Sequence, residues 1–99
     1  MSVDSRKRRS LLAAIKLLKS ISHPVRLSLL CELEKGELTV NELIQSQSDI
    51  SQSQVSQFLL KMKAQGLLES RKESRNVYYR IKSDAARKLI QALYKIFCG

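Results

Sequence analysis

Two helix-start signals lying close together constrain this chain more than any other feature. Thr39-Val40-Asn41-Glu42 and Ser51-Gln52-Ser53-Gln54 each put a hydroxyl residue three positions ahead of Glu or Gln. That is the pattern of a capping box, in which the two side chains satisfy each other's free backbone N–H groups. A short helix must therefore begin after Thr39, with Val40, Leu43 and Ile44 turned inward, and a second after Ser51. In the second, Val55, Phe58, Leu59 and Met62 follow the i, i+3, i+4, i+7 spacing of a half-buried helix, and Gly66 ends it. The period then changes from helical to alternating. Leu67 to Lys72 and Asn76 to Lys82 read as two strands joined by the turn Glu73-Ser74-Arg75-Asn76. In the later strand Val77, Tyr79 and Ile81 share one face, and Tyr78, Arg80 and Lys82 the other.

Helices flank this unit on both sides. Ser10 to Ile21 reads as one, with Leu11, Ile15, Leu18 and Ile21 on a common face. Ser22-His23-Pro24 marks a break and a new start, since Pro suits the first turn of a helix. The next helix runs to about Lys35, with Leu27, Leu30, Cys31 and Glu34 along one side, and Gly36 stops it. Ser83 caps a last helix that reaches Phe97. That helix carries Ala86, Leu89, Ile90, Leu93 and Phe97 on one stripe and Ala85, Ala92 and Ile96 beside it. A stripe wider than one core needs points to a second partner surface. The predicted fold class is mainly α with a small β-hairpin, a winged helix-turn-helix of order ααααββα. The chain of 99 residues has room for one core only. Residues 1–9 form a basic arm carrying Arg6-Lys7-Arg8-Arg9, and residues 10–99 the folded domain.

Charge says what the domain meets. Eighteen Lys and Arg against nine Asp and Glu leave a net charge of +9, which points to nucleic acid or an anionic membrane. The charge is also segregated. Glu32 to Asp49 holds five acids and one Lys, whereas Lys61 to Lys82 holds seven bases and two acids. In a helix-turn-helix the second helix enters the major groove by its N-terminal end. Here Ser51, Gln52, Ser53, Gln54, Ser56 and Gln57 crowd that end, and amide and hydroxyl side chains can pair with base edges. Lys61 and Lys63 follow along the helix. Arg71, Lys72 and Arg75 sit at or beside the hairpin tip, placed to meet the phosphate backbone or the minor groove. A Ser/Gln-rich helix start can also be a solvated cap, and charged hairpins also block edge pairing. Adjacency in this order, with this charge, favours a sequence-specific regulator binding double-stranded DNA. The alternative is a winged-helix module that binds protein.

Other classes fit poorly. One His, no Gly-rich phosphate loop and no clustered carboxylates leave no catalytic constellation, so no enzyme and no cofactor is expected. Lys16, Lys19 and Arg26 break the longest apolar runs, so no membrane span is expected. Leu11 to Ile15 after a basic run faintly resembles a leader, but Lys16 cuts it short, and the chain reads as cytoplasmic. Two cysteines in such a compartment should rest as thiols.

Ile21-Ser22-His23-Pro24-Val25-Arg26-Leu27, Leu38-Thr39-Val40-Asn41-Glu42-Leu43, Ile50 through Leu59 and Gly66-Leu67-Leu68 resemble the ArsR/SmtB family of bacterial repressors. The likeness runs from about residue 10 to residue 98. It implies a homodimer packed through the first and last helices, and an inducer that releases it from DNA. Metal-sensing members use cysteines in the third helix, or His and acidic residues in the last. This chain has neither set, and His23 alone cannot make a zinc site, so no metal is expected. His23 is read instead as a capping or packing residue. Cys31 and Cys98 resemble the thiol-sensing branch, the HlyU and BigR type. That resemblance implies a redox switch, in which an oxidant or sulfane sulfur links Cys31 to Cys98 reversibly. Cys31 can equally be a small apolar filler on the stripe with Leu27.

Overall fold

The computed structural model describes residues 4–99, so residues 1–3 of the basic arm lie outside the described residues. The elements are α1 (Ser5–Ile21), α2 (Pro24–Glu34), β1 (Leu38–Thr39), α3 (Val40–Gln45), α4 (Gln52–Ala64), β2 (Leu68–Glu73), β3 (Asn76–Ile81) and α5 (Asp84–Phe97). Helix α1 starts at Ser5 and not at Ser10, because Asp4 caps it: Asp4 Oδ1 accepts from the Lys7 N–H at 2.8 Å. Arg6 to Arg9 therefore stand on its first turns. His23 is the N-cap of α2, its Nδ1 accepting from the Val25 N–H at 3.1 Å, with Pro24 in the first turn. The α4 C-terminus closes as a Schellman motif. The Leu67 N–H reaches Met62 O and the Gly66 N–H reaches Lys63 O, both at 3.0 Å, with Gly66 at φ +80°.

The sheet has three strands in the order β1-β3-β2, all antiparallel. The alternation in the sequence predicts only the hairpin. The third strand is the two residues ahead of α3, with Leu38 opposite Tyr79 and Thr39 opposite Tyr78. A pair so short has no period of its own and forms because β3 offers it an edge.

Helix α2 is the centre of the core. The sequence reading puts one stripe inward on it, but Leu29, Leu30 and Leu33 are buried, while Leu27 and Cys31 pack at the margin. The reason is that α1, α4, α5 and β3 all lie against it, so more than one side is covered. Ile21, Leu43, Val55, Leu59, Met62, Leu67, Leu68, Tyr79, Ala86 and Ile90 complete the core. Leu11, Leu12, Ile15 and Leu18 of α1 and Ile96 and Phe97 of α5 stay exposed. No described helix is long and apolar enough to cross a membrane.

The α3 capping box is closed on both sides: Glu42 Oε1 accepts from the Thr39 N–H at 2.9 Å, and Thr39 Oγ1 from the Glu42 N–H at 3.1 Å. The Thr39 backbone N–H, followed by its hydroxyl, holds the Glu42 carboxyl below its ordinary range. A carboxyl lowered in the folded state contributes stability above its ordinary pKa and loses it as pH falls through the folded value. On acidification the wild type is expected to lose more stability than Glu42→Gln, which keeps an acceptor without a charge. Thermal unfolding of both at neutral and acid pH tests this; parallel losses would rule out a share for Glu42.

Candidate nucleic-acid interface

Val55, Leu59 and Met62 are buried, and this fixes which side of α4 faces out. Ser53, Gln57, Leu60 and Lys61 occupy the opposite side, all exposed. Ser51 and Gln52 are exposed at the helix start, and Ser56 is half-buried on the flank. Gln54 is exposed but engaged. Its Oε1 lies 3.4 Å from the Ser51 N–H, and its own N–H donates to Ser51 Oγ at 3.2 Å. The cap that starts the helix thus engages Gln54, and Ser53, Gln57 and Lys61 are the polar side chains of the outer face without a hydrogen-bond partner among the described residues.

Polar contacts of Gln47, Arg26 and Lys63 that the sequence does not signal, and a ring contact of His23, hold α4 in place. Gln47 in the α3–α4 turn is buried, and its Nε2 donates to Ser28 Oγ at 2.9 Å and Ser46 Oγ at 3.2 Å. Arg26 Nη1 donates to Ser20 O and Gln65 Oε1, each at 3.0 Å. Lys63 Nζ donates to Ser70 Oγ at 2.7 Å, so it braces α4 on β2. The His23 ring lies 4.9 Å from the Phe58 ring, centroid to centroid. A polar side chain in a Ser/Gln-rich turn carries no sign of its burial, so Gln47 could not be found from sequence.

The wing is the β2–β3 hairpin. Glu73 pairs with Asn76, leaving Ser74 and Arg75 as a two-residue turn. Ser74 has φ +56° and is the one non-glycine with positive φ among the described residues. Positive φ at the first central position suits the right-handed twist of the strands. Arg75 sits in this turn and Lys72 one rung below, opposite Val77, both exposed. Arg71 is placed differently. Its Nε lies 3.0 and 3.1 Å from the two Glu37 oxygens, its Nη2 2.7 Å from Glu37 Oε1, and its Nη1 2.6 Å from Glu73 Oε2. The guanidinium also lies 4.4 Å over the Tyr78 ring. The hydrogen bonds Arg71 donates to Glu37, and then to Glu73, push its pKa further up, and Arg71 holds the Glu37 carboxyl down.

Cys31 is half-buried on α2 and Cys98 exposed at the end of α5, both as free thiols. Burial pushes the Cys31 thiol up, and Cys98 is close enough to push it the same way, as do Glu32 and Glu34. The fold thus brings the two sulfurs into each other's electrostatic range. Among the described residues, no group of three His, Cys, Asp or Glu side chains is placed to hold a metal ion.

Residues 23–70, from the α2 cap through α4 to the wing stem, match the family model described as bacterial regulatory protein, arsR family. The biofilm growth-associated repressor of Agrobacterium fabrum is 43% identical over 83 residues, which span 84% of this chain and 70% of that protein. The chain belongs to the ArsR family. Like other ArsR-family proteins it is a DNA-binding transcriptional regulator. Its winged helix-turn-helix superposes on reduced HlyU from Vibrio cholerae with a TM-score of 0.87 at 33% identity, covering 97% of this chain and 100% of that one. The homodimeric winged helix-turn-helix DNA-binding domain of Mb0332 from Mycobacterium bovis, a possible ArsR-family transcriptional regulator, superposes with a TM-score of 0.73 at 26% identity. It covers 97% of this chain and 89% of that one. The ArsR-family fold and the sequence-based expectation agree, apart from the extra strand β1 and the early start of α1.

Proposed function

We propose that this ArsR-family chain binds operator DNA as a homodimer joined through α1 and α5, with the outer face of α4 in the major groove. What carries the reading is that face: Ser53, Gln57 and Lys61 exposed above a fully buried Val55-Leu59-Met62 side. Gln57 can pair bidentately with adenine, and Ser53 can serve several bases. Ser51 and Gln52 flank them at the helix start, and Ser56 lies on the side. Lys61, Lys72 and Arg75 meet phosphates and supply affinity that falls with salt. The first turns of α1, with Arg6 to Arg9, add positive charge to the same molecule. The dimer is supported by the exposed apolar residues of α1 and α5 and by the homodimeric relative.

The test uses a duplex selected by the wild-type chain from a random pool, beside an unrelated duplex. Gln57→Ala is expected to weaken binding to the selected duplex by roughly 5- to 100-fold, the range of one lost base pairing, with little change on the other. Equal loss on both would remove the reading role. Absence of wild-type binding to either duplex at low salt would overturn the function and favour a protein partner.

The two thiols supply the switch. Cys98 is the exposed sulfur, whereas Cys31 is half-buried and burial pushes its thiol up, so Cys98 reacts first. A hydroperoxide converts the Cys98 thiolate to a sulfenic acid and leaves as the alcohol. Cys31 then attacks that sulfur, water departs, and a disulfide forms. With a persulfide RSSH, Cys98 takes the outer sulfur and releases the thiolate RS⁻. Attack by Cys31 on Cys98 Sγ then expels hydrosulfide and leaves the same disulfide. The link would tie α5 to α2 and so shift the dimer face relative to the reading helix. Oxidant or sulfane sulfur is expected to reduce affinity for the selected duplex, and Cys98→Ser to abolish that response. A response unchanged in Cys98→Ser would take the switch away from this pair.

A further inference from the structure

The wing changes character at one rung. Strand β1 supports β3 only at Tyr79 and Tyr78, opposite Leu38 and Thr39. Beyond Tyr78 the hairpin continues without β1, through Lys72 opposite Val77 and Glu73 opposite Asn76. A two-stranded ribbon is marginal on its own, so its direction depends on how its base is held. Arg71 sits on that last supported rung, opposite Tyr78. Its side chain crosses the outer face of β3, over the Tyr78 ring, and reaches Glu37 at the entry to β1. Its remaining edge holds Glu73, two rungs nearer the tip on the same face. One planar cation thereby joins both sides of the hinge. Arg80 and Glu69 pair across the rungs behind it on the same face.

We propose that Arg71 is a positioning residue for DNA binding: it clamps the wing at its hinge through Glu37 and Glu73, so that Lys72 and Arg75 meet the backbone at a fixed angle, and makes no phosphate contact itself. This rests on the DNA-binding reading above. A phosphate would have to compete with two carboxylates already bound to the same guanidinium. The fork geometry is also specific to arginine, because a lysine cannot serve both carboxylates in one plane.

Glu37→Gln separates the clamp from simple electrostatics, because the two give opposite signs. Removing a negative charge should tighten binding to DNA if charge alone matters or if Glu37 merely holds Arg71 back. The clamp predicts weaker binding to the selected duplex, by about fivefold, an effect well above the near-zero worth of most exposed ion pairs. Arg71→Gln should weaken binding by a similar factor, Arg71→Lys should fail to rescue it, and the double variant should be no worse than either single one. In Arg71→Gln the slope of log affinity against log salt should stay at the wild-type value, whereas a lost phosphate contact lowers it by about one. In the free protein, amide hydrogen exchange of residues 72–77 should quicken in Glu37→Gln. Equal or tighter binding by Glu37→Gln, a reduced salt slope in Arg71→Gln, or unchanged exchange in the wing would each overturn the clamp. Wild-type protein that binds no duplex would instead overturn the function itself, whatever the exchange rates show.

Discussion

A chain carrying Leu12→Asp and Phe97→Asp is expected to sediment as a monomer and to lose affinity for its selected duplex by a factor of about 10²–10⁴. Phe97 is 78% exposed and its neighbour Ile96 70%, and Leu12 with Leu11 is more than half exposed on α1. Large apolar side chains exposed several to a helix are rarely left to water unless something covers them. Neither substitution touches the core, so folding is expected to survive. Joining two reading helices makes the second engagement intramolecular, and that gain disappears with the dimer. Far-ultraviolet circular dichroism checks the fold, sedimentation the mass, and titration the affinity. A folded monomer that binds as tightly as the wild type would refute the dimeric reading.

The second large effect separates two adjacent leucines. Leu59→Ala is expected to lower stability by about 2–5 kcal/mol, the range for truncating a fully buried leucine. Leu60→Ala is expected to stay within about 0.5 kcal/mol, as exposed positions do. Leu59 is 1% exposed and Leu60 60%. Leu59 lies between Val55 and Met62 on the side that holds the reading helix to the domain, so its loss should weaken DNA binding as well as folding. Urea unfolding measures both changes. Similar costs at the two positions would mean that α4 is rotated from the orientation described.

Much of this could be read before any coordinates. The two capping boxes marked the starts of α3 and α4, and both close as expected. Gly66 and the switch from a helical to an alternating period marked the wing, and Ser83 the start of α5. These signals are local: a cap, a helix stop and a side-chain period each act within a few residues. Other features depend on chain segments far apart. Arg71 looked like one more tip cation, and only its distance to Glu37 shows that it is occupied. Gln54 fitted both a cap and a base reader, and the hydrogen bond to Ser51 engages it in the cap. The hydrogen bonds of Gln47, Arg26 and Lys63 had no local signal, because their partners Ser28, Gln65 and Ser70 lie elsewhere in the chain.

The sequence by itself determined the order of the helices and the hairpin, the family, and the helix start that faces the solvent with Ser and Gln. It could do so because caps, turns and amphipathic periods are written in neighbouring residues. Only the tertiary structure decided that β1 joins the sheet, that α2 is buried on several sides, that Cys31 and Cys98 come within electrostatic range, and which wing arginine is free. Those outcomes depend on distances across the fold, set by how the apolar faces pack together, and no local pattern encodes them.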